Sequence, residues 1–370
     1  MASSNSTVTP SKLLHIDAIQ TVAPGRMAKP GQSRRISVVA PVGLGILRSH
    51  LRIVLYYKKA RKESALDVAA WIKESLNAMT PDMPVLAGRL RRDSEGDGFW
   101  EVKFNDAGVR LVQASAEMTM SEFLESEERD GREAQLAYWV DVDQENPYYS
   151  ALFYVQVTQF QGDGYSIGIS CSVLLADPLF LTRFLKFWAQ TQTQMLAQGQ
   201  LSKNPIFHLS NFQRPGGPSR IKFTPLDSTP TKPITTTTIL FKVARARVLG
   251  SPSYTKLATH CLKEVMQKME GMAVANFSLI INDHAGELKV ESCRAKGLAQ
   301  SNETFNDAFS KVWWDELGIE DIAFSEANKP VHVSYHVVSP PDEGLVMVML
   351  PSDREDSLDL IISTTIPKKI

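Results

Sequence analysis

The stretch from Leu152 to Ala197 constrains this chain more than any other. Leu152 to Phe160 (LFYVQVTQF) and Tyr165 to Ser172 are apolar runs rich in β-branched and aromatic residues, separated by Gly162-Asp163-Gly164. Two such runs around a short glycine-rich turn predict an antiparallel hairpin. After Asp177-Pro178, the residues Leu181, Phe184, Leu185 and Trp188 recur at helical spacing, which predicts an amphipathic helix through Ala197. A hairpin that runs into a helix is therefore expected here.

Other elements follow from similar signals. Leu51 to Tyr57 reads as a buried strand, and Ser64 stands where a helix N-cap belongs, ahead of Leu66, Ala69, Ala70, Ile72 and Leu76. Pro81 and Pro84 end that helix after Met79, because neither can donate to a continuing ladder. Gly88 to Arg110 predicts strands around Gly96-Asp97-Gly98, and Thr119 or Ser121 caps a short acidic helix through Glu128. Residues 1 to 34, punctuated by Pro10, Pro24, Gly25, Pro30 and Gly31, read as a loose lead-in.

From 199 to 238, repeated prolines and the run Thr235 to Thr238 mark a crossing linker. Beyond it the expected order is a strand (Ile239 to Val243), a helix from Ser251 or Ser253 to Met269 and a strand (Phe277 to Ile281). A polar patch, a helix around Phe305 to Trp314, and strands at Val331 to Val338, Leu345 to Leu350 and Leu358 to Ser363 complete it. Helices and strands mix without a regular βαβ period. The expectation is a mixed α/β fold of two lobes, 1–198 and 239–370, joined by the 199–238 crossover.

Composition excludes several classes. Lys+Arg 40 against Asp+Glu 41 leaves a net charge of -1, so no basic excess supports a nucleic-acid partner. Cys171, Cys261 and Cys293 are too few and too scattered for a disulfide framework or a metal site, which favours a reducing compartment. No run approaches the roughly 18–20 apolar residues of a membrane-spanning helix, since Val38 to Leu47 is broken by Pro41, Gly43 and Gly45. Met1 to Pro10 lacks the basic and apolar regions of a secretory signal. A protein of the cell interior with no transmembrane segment is expected.

General chemical motifs are missing. The chain has no dinucleotide or phosphate-binding glycine loop, no HExxH and no GxSxG elbow. His332 and His336 fall on one face of an expected strand without an acidic ligand nearby in sequence, so two partly exposed strand histidines are expected. Cys171 reads as a small buried residue rather than a nucleophile, and Asp283-His284 as a turn.

One constellation is more specific. Met83-Pro84-Val85-Leu86-Ala87-Gly88-Arg89-Leu90 is followed by Phe104-Asn105-Asp106-Ala107-Gly108-Val109 and Val112-Gln113-Ala114. Further on, Gly164 to Asp177 is followed by the helix reaching Trp188-Ala189. In order and spacing these segments resemble the first half of the plant BAHD acyltransferases, where Gly164 to Asp177 takes the place of the HxxxD segment. The resemblance implies two chloramphenicol-acetyltransferase-like lobes with a channel between them. It also implies acyl transfer from acyl-CoA to a hydroxyl or amine, with the motif histidine as base.

The sequence departs from that pattern at its chemical centre. Val173 stands at the histidine position, and an isopropyl group has no lone pair for a proton. General-base help is typically worth about 10²–10⁴ in rate. Asp177 remains, in a position that the family uses structurally, paired with an arginine. Cys171 and Val173 share a strand face while Ser172 points opposite, so none of Ser170, Ser172 and Cys171 simply replaces the base, although Ser172 or a base elsewhere in the channel stays open.

The family's DFGWG motif is replaced by Ala323-Phe324-Ser325-Glu326-Ala327-Asn328-Lys329-Pro330, in which Phe324, Lys329 and Pro330 survive as a degenerate CoA-side segment. Loss of DFGWG is similar to the eceriferum/Glossy-type branch, as are Tyr154 to Phe160, Asn105-Asp106 and Glu343 to Val348.

That branch implies an accessory role in very-long-chain fatty acyl elongation for cuticular wax. The implied partner is a condensing enzyme of the ketoacyl-CoA synthase type, at the cytosolic face of the endoplasmic reticulum, in the cytoplasm or in the nucleus. The chain would otherwise be a monomer, engaging acyl-CoA or a long acyl chain and no metal. The alternatives are an acyl-CoA-dependent transferase with another base, or a decayed copy. Family members are also several tens of residues longer. The shortfall is expected between Ile281 and Trp313-Trp314, with Asp283-His284-Ala285 where the arginine partner of Asp177 belongs.

Overall fold

A computed structural model describes residues 14–38, 44–58, 64–92, 100–162, 164–201, 236–243, 254–269, 274–282, 287–295, 309–326, 328–349 and 359–368. Met1 to Pro10, Gly96-Asp97-Gly98, Asp163, most of the 199–238 crossover, Ser251, Ser253, Asp283-His284 and Phe305 lie outside the described residues.

The first half contains β1 (Leu14–Val22), β2 (Ser33–Val38), β3 (His50–Lys58), α1 (Ala65–Met79), β4 (Arg89–Arg92), β5 (Trp100–Lys103), β6 (Val109–Ala116), α2 (Met120–Glu125), α3 (Arg129–Arg132), β7 (Phe153–Gln159), β8 (Gly164–Ser172) and α4 (Pro178–Ala197). The second half contains β9 (Thr236–Val243), α5 (Tyr254–Lys268), β10 (Asn276–Asn282), β11 (Leu288–Arg294), β12 (Phe309–Val312), β13 (His332–Val338), β14 (Glu343–Met349) and β15 (Leu360–Pro367).

Local chemistry explains the helix starts. Ser64 and Asp67 form a reciprocal capping box: the Ser64 hydroxyl accepts the Asp67 amide, and the Asp67 carboxylate accepts the Ser64 amide. Thr119 and Glu122 do the same for α2. That helix stops at Glu125 rather than Glu128, because Ser126 leaves the helical region. Asp177 caps α4, accepting the Phe180 amide at 2.8 Å, with Pro178 in the first helical turn.

Six strands in the order β1-β6-β7-β8-β3-β13 form one sheet, and nine in the order β12-β9-β15-β14-β10-β11-β2-β5-β4 form the other. The expected hairpin is β7 and β8, paired antiparallel from Phe153↔Cys171 to Gln159↔Tyr165. Each sheet draws strands from both sides of the crossover: β13 pairs β3, whereas β2 lies between β11 and β5.

Three expectations need correction. The lead-in holds β1, which runs along β6, and the first two residues of β2, a strand inside the larger sheet. The polar patch after Ile281 contains β11, whose Leu288 and Val290 are buried while Lys289 is exposed. The segment before Trp313 is a strand paired with β9, followed by 3-10 turns at Asp315–Leu317 and Ile319–Asp321, rather than a helix. For β1, β2 and β12 a partner distant in sequence supplies the ladder and overrides local propensity, whereas β11 pairs with its neighbour β10 along its whole length.

The main core joins Leu51, Ile53 and Leu55 of β3, Ile167 and Ile169 of β8, Ile72 and Leu76 of α1, and Leu185 and Trp188 of α4. A second cluster packs Leu257, Cys261 and Leu262 of α5 on Val346, Val348 and Ile362 of the larger sheet.

The opposite face of the smaller sheet combines an apolar cluster of Val54, Tyr56, Phe123, Leu136 and Phe160 with buried polar groups, and is crossed by residues 133–139. Ser170 donates to the Ala137 carbonyl at 3.1 Å, while Gln156 accepts the Tyr138 amide at 2.8 Å and donates to the Gln135 carbonyl at 2.9 Å. His332 and His336 are partly exposed on β13, but the expected lack of an acidic neighbour is wrong. His336 Nε2 lies 2.9 Å from the carboxylate of Glu133, which is 2% exposed and also accepts from Tyr56 at 2.6 Å and from Ser334. Separation along the chain concealed this contact.

Candidate functional site

Val173 leaves β8 at the start of a tight turn. Its amide donates to the Ser49 carbonyl, the Ser172 hydroxyl accepts the Leu174 amide at 3.2 Å, and the Ser172 carbonyl accepts the Leu175 amide at 2.9 Å. The turn carries the chain to Asp177 at the head of α4, so Val173 and Asp177 line one chamber together with Ala176, Ile280 and Met347. Val173 is 1% exposed, and the chamber measures about 10 Å³, the space of about one water.

Two residues that sequence reasoning missed complete this site. Arg34 of β2 donates to the Leu175 carbonyl at 2.8 Å and to Asn282 Oδ1 at 2.7 Å, while Asn282 Nδ2 lies 3.4 Å from Asp177 Oδ2. Burial pushes the Asp177 carboxyl pKa up, opposed by the Phe180 amide, Asn282 and the Arg34 charge. No local signal marks Arg34, because only the insertion of β2 beside β11 brings it here. Asp283-His284-Ala285, the expected place of an arginine, lies outside the described residues, and the adjoining Asn282 makes the contact.

The remaining candidates are held elsewhere or are chemically quiet. Cys171 is fully buried, and desolvation with the nearby Asp177 carboxyl raises its thiol pKa far above a reactive range. Ser170 is spent on Ala137 and Ser172 on the turn. Phe324 is 1% exposed and meets Trp188 edge-on at 4.7 Å, with its carbonyl accepting from Gln192. Lys329 is exposed and pairs with Asp321 at 2.8 Å, and Pro330 is partly buried. These three lie outside the chamber lining.

Trp188, Ser75 and Gln192 form a buried relay beneath Phe324: Trp188 Nε1 donates to Ser75 Oγ, which donates to Gln192 Oε1, both at 2.8 Å. Ser75→Ala leaves two buried groups unpaired and is expected to lower stability by about 2–3 kcal/mol, read from urea unfolding.

Among the described residues no group of His, Cys, Asp and Glu side chains is placed to hold a metal ion. No described helix is long and apolar enough to cross a membrane. A chamber of about 10 Å³ has no room for the thioester of acyl-CoA and an acceptor, and the one carboxylate facing it, Asp177, is engaged by the Phe180 amide and Asn282. The arrangement keeps the motif's turn and lacks its proton acceptor.

Residues 45–277, more than half of the chain, match the model described as Transferase family. The chain belongs to this BAHD acyltransferase family. Its similarity to Protein ECERIFERUM 26-like of Arabidopsis thaliana is 31% identity over 154 residues, 40% of this chain and 35% of that protein. Protein ECERIFERUM 2 of Arabidopsis thaliana is 25% identical over 195 residues, 51% of this chain and 44% of that protein. Shikimate O-hydroxycinnamoyltransferase of Nicotiana tabacum is 26% identical over 269 residues, 71% of this chain and 58% of that enzyme.

The chain thus spans less than half the length of the ECERIFERUM proteins it matches. The crystal structure of vinorine synthase shares the fold, with a TM-score of 0.50 at 16% identity, covering 96% of this chain and 95% of that one. The mixed α/β, two-sheet architecture and the likeness to the eceriferum branch agree with the resemblance read from the sequence.

Proposed function

We propose that this BAHD chain is an accessory protein supporting very-long-chain fatty acyl elongation for cuticular wax, without the family's acyl-transfer chemistry. The observation that carries the proposal is the closed chamber in which Val173 and Asp177 meet under Arg34 and Asn282. Transfer from a thioester needs a proton acceptor within hydrogen-bond reach of the attacking atom and room for both reactants. Val173 supplies no acceptor, and the polar latch fills the approach.

Similarity to three ECERIFERUM proteins supports the wax setting. On this reading two lobes, 1–198 and 239–370, present a surface or channel to a condensing enzyme at the cytosolic face of the endoplasmic reticulum. An apolar wall holds an acyl chain at roughly 0.8 kcal/mol per buried methylene, with no catalytic group required.

The test is a transfer assay with purified protein, a panel of acyl-CoA donors and hydroxyl or amine acceptors. Wild type is expected at background, and Val173→His is expected to stay there, because the latch remains. Wild-type turnover well above background, unaffected by Val173→Ala, would mean a transferase using another base.

A further inference from the structure

Arg89 and Arg110 are neighbours without an acid. Arg89, on β4, is 3% exposed and spends its guanidinium on carbonyls, donating to Gly88 at 2.9 Å and Ala107 at 3.1 Å. Burial, then the Arg110 charge, pushes its pKa down to about 10. Arg110, on β6, is partly exposed and donates to Thr21 Oγ1 on β1. Neither guanidinium meets a carboxylate among the described residues.

Tyrosines complete the setting. Tyr154 stands opposite Arg110 in the β6–β7 ladder, so both side chains lie on the sheet face crossed by residues 133–139. Tyr154 is 5% exposed, yet among the described residues its hydroxyl has no hydrogen-bond partner. Burial, then Tyr138, pushes its pKa up to about 12 against the Arg110 and Arg89 charges, so it stays a donor at neutral pH. Tyr148, in the 3-10 turn Pro147–Tyr149, also lies near Arg89. Two cations side by side and a buried donor left unpaired both cost free energy, and one bound anion relieves both.

We propose that this corner of the smaller sheet binds a phosphate monoester. The site carries two positive charges, and a monoester carries about −1.5 to −2 at neutral pH, whereas a phosphodiester or a carboxylate leaves one cation uncompensated. Arg110 and the Tyr154 hydroxyl donate to the phosphate oxygens, and Arg89, engaged by its carbonyls, acts as a fixed charge. Nearby carboxylates are already engaged: Asp141 accepts the Trp139 indole at 2.9 Å, and Asp143 accepts the Glu145 and Asn146 amides. Their charge disfavours a broadly anionic surface and leaves one concentrated dianion as the matching ligand. Exposed Ile16 and Ile19 pair with Ala114 and Val112 on the same face as Arg110, an apolar rim that suits a lipid-borne monoester. A soluble phosphate ester offers the same group without using that rim.

The experiment is titration of the full-length protein with glycerol 3-phosphate and with dimethyl phosphate. Alongside it runs flotation with phosphatidylcholine vesicles carrying phosphatidic acid or, at matched charge, phosphatidylserine. Expected are saturable binding of the monoester, at least about tenfold tighter than the diester, and losses of at least about tenfold in Arg110→Gln and in Tyr154→Phe. Tyr154→Phe removes a hydroxyl that holds nothing in the fold, so its urea midpoint should not fall. Capture by phosphatidic acid but not phosphatidylserine vesicles, lost in both variants, supports the site and makes its source a lipid. Binding of glycerol 3-phosphate without vesicle capture supports it with a soluble source. No saturable binding in either arm, equal affinity for monoester and diester, or binding that survives both variants overturns the proposal.

Discussion

Gly168→Ala is expected to abolish the stable fold. A Cβ there would sit 1.9 Å from the Leu136 carbonyl oxygen, 2.8 Å from its carbon and 2.9 Å from Ala137 Cα. All three are backbone atoms, so no flexible side chain can yield. Gly168 is not among the glycines with positive φ, and the requirement is therefore one of space. Relief demands that residues 133–139 rise from the sheet. That movement breaks the Ser170 and Gln156 bonds and withdraws Glu133 from Tyr56, Ser334 and His336.

Each buried group left unpaired costs about 1–3 kcal/mol, and several together rival a total stability of about 5–15 kcal/mol. Soluble yield and near-ultraviolet circular dichroism give the readout. A variant with a wild-type urea midpoint would contradict the packing described for 133–139.

Acid should weaken the protein from about pH 6.5 downward, well before ordinary carboxylates titrate. His50 is 3% exposed, and burial, reinforced by the Arg52 charge, lowers its pKa from 6.5 to about 3 against the opposing Arg48 carbonyl contact. Below pH 6.5 the unfolded chain takes up a proton that folded His50 refuses. The stability is therefore complete above 6.5 and drains away as pH falls toward 3. At about 1.4 kcal/mol per pH unit, the loss reaches several kcal/mol.

Glu133 adds a second, lower window. Its carboxyl is held below its usual 4.5, since the hydrogen bonds of His336, Ser334 and Tyr56 outweigh the larger single effect of burial. That contribution is present above 4.5 and lost as pH falls through the folded value. Urea midpoints measured from pH 7.5 to 4 check both windows. His50→Phe keeps a ring against Trp139, now stacked at 4.4 Å, and should flatten the slope between 6.5 and 4.5. A slope unchanged in His50→Phe would remove His50 as the cause.

What the sequence made legible divides along sequence distance. The β7–β8 hairpin, the Ser64 cap of α1 and the helix α4 all depend on neighbours, and their residues announce them. The strands β1 and β2 take their identity from partners far along the chain, whereas β11 pairs with the adjacent β10 and is obscured by the polar residues of its exposed face. Val173 and Asp177 are marked by the resemblance of Gly164 to Asp177 to the family's HxxxD segment, while Arg34 and Asn282 carry no such mark. Arg34 lies in a polar stretch between Gly31 and Ile36 and acquires its role only when β2 enters the larger sheet. Glu133 and His336, separated by 203 positions, meet for a similar reason.

On the proposed function, this chain changes acyl chain length without transferring acyl groups. Co-expression in yeast with a plant condensing enzyme, followed by chromatographic profiling of fatty acyl lengths, tests it most directly. The expected result is longer acyl products than the condensing enzyme makes alone, retained in Val173→Ala and Val173→His. Profiles unchanged across several condensing enzymes, or an extension lost in Val173→Ala, would contradict it.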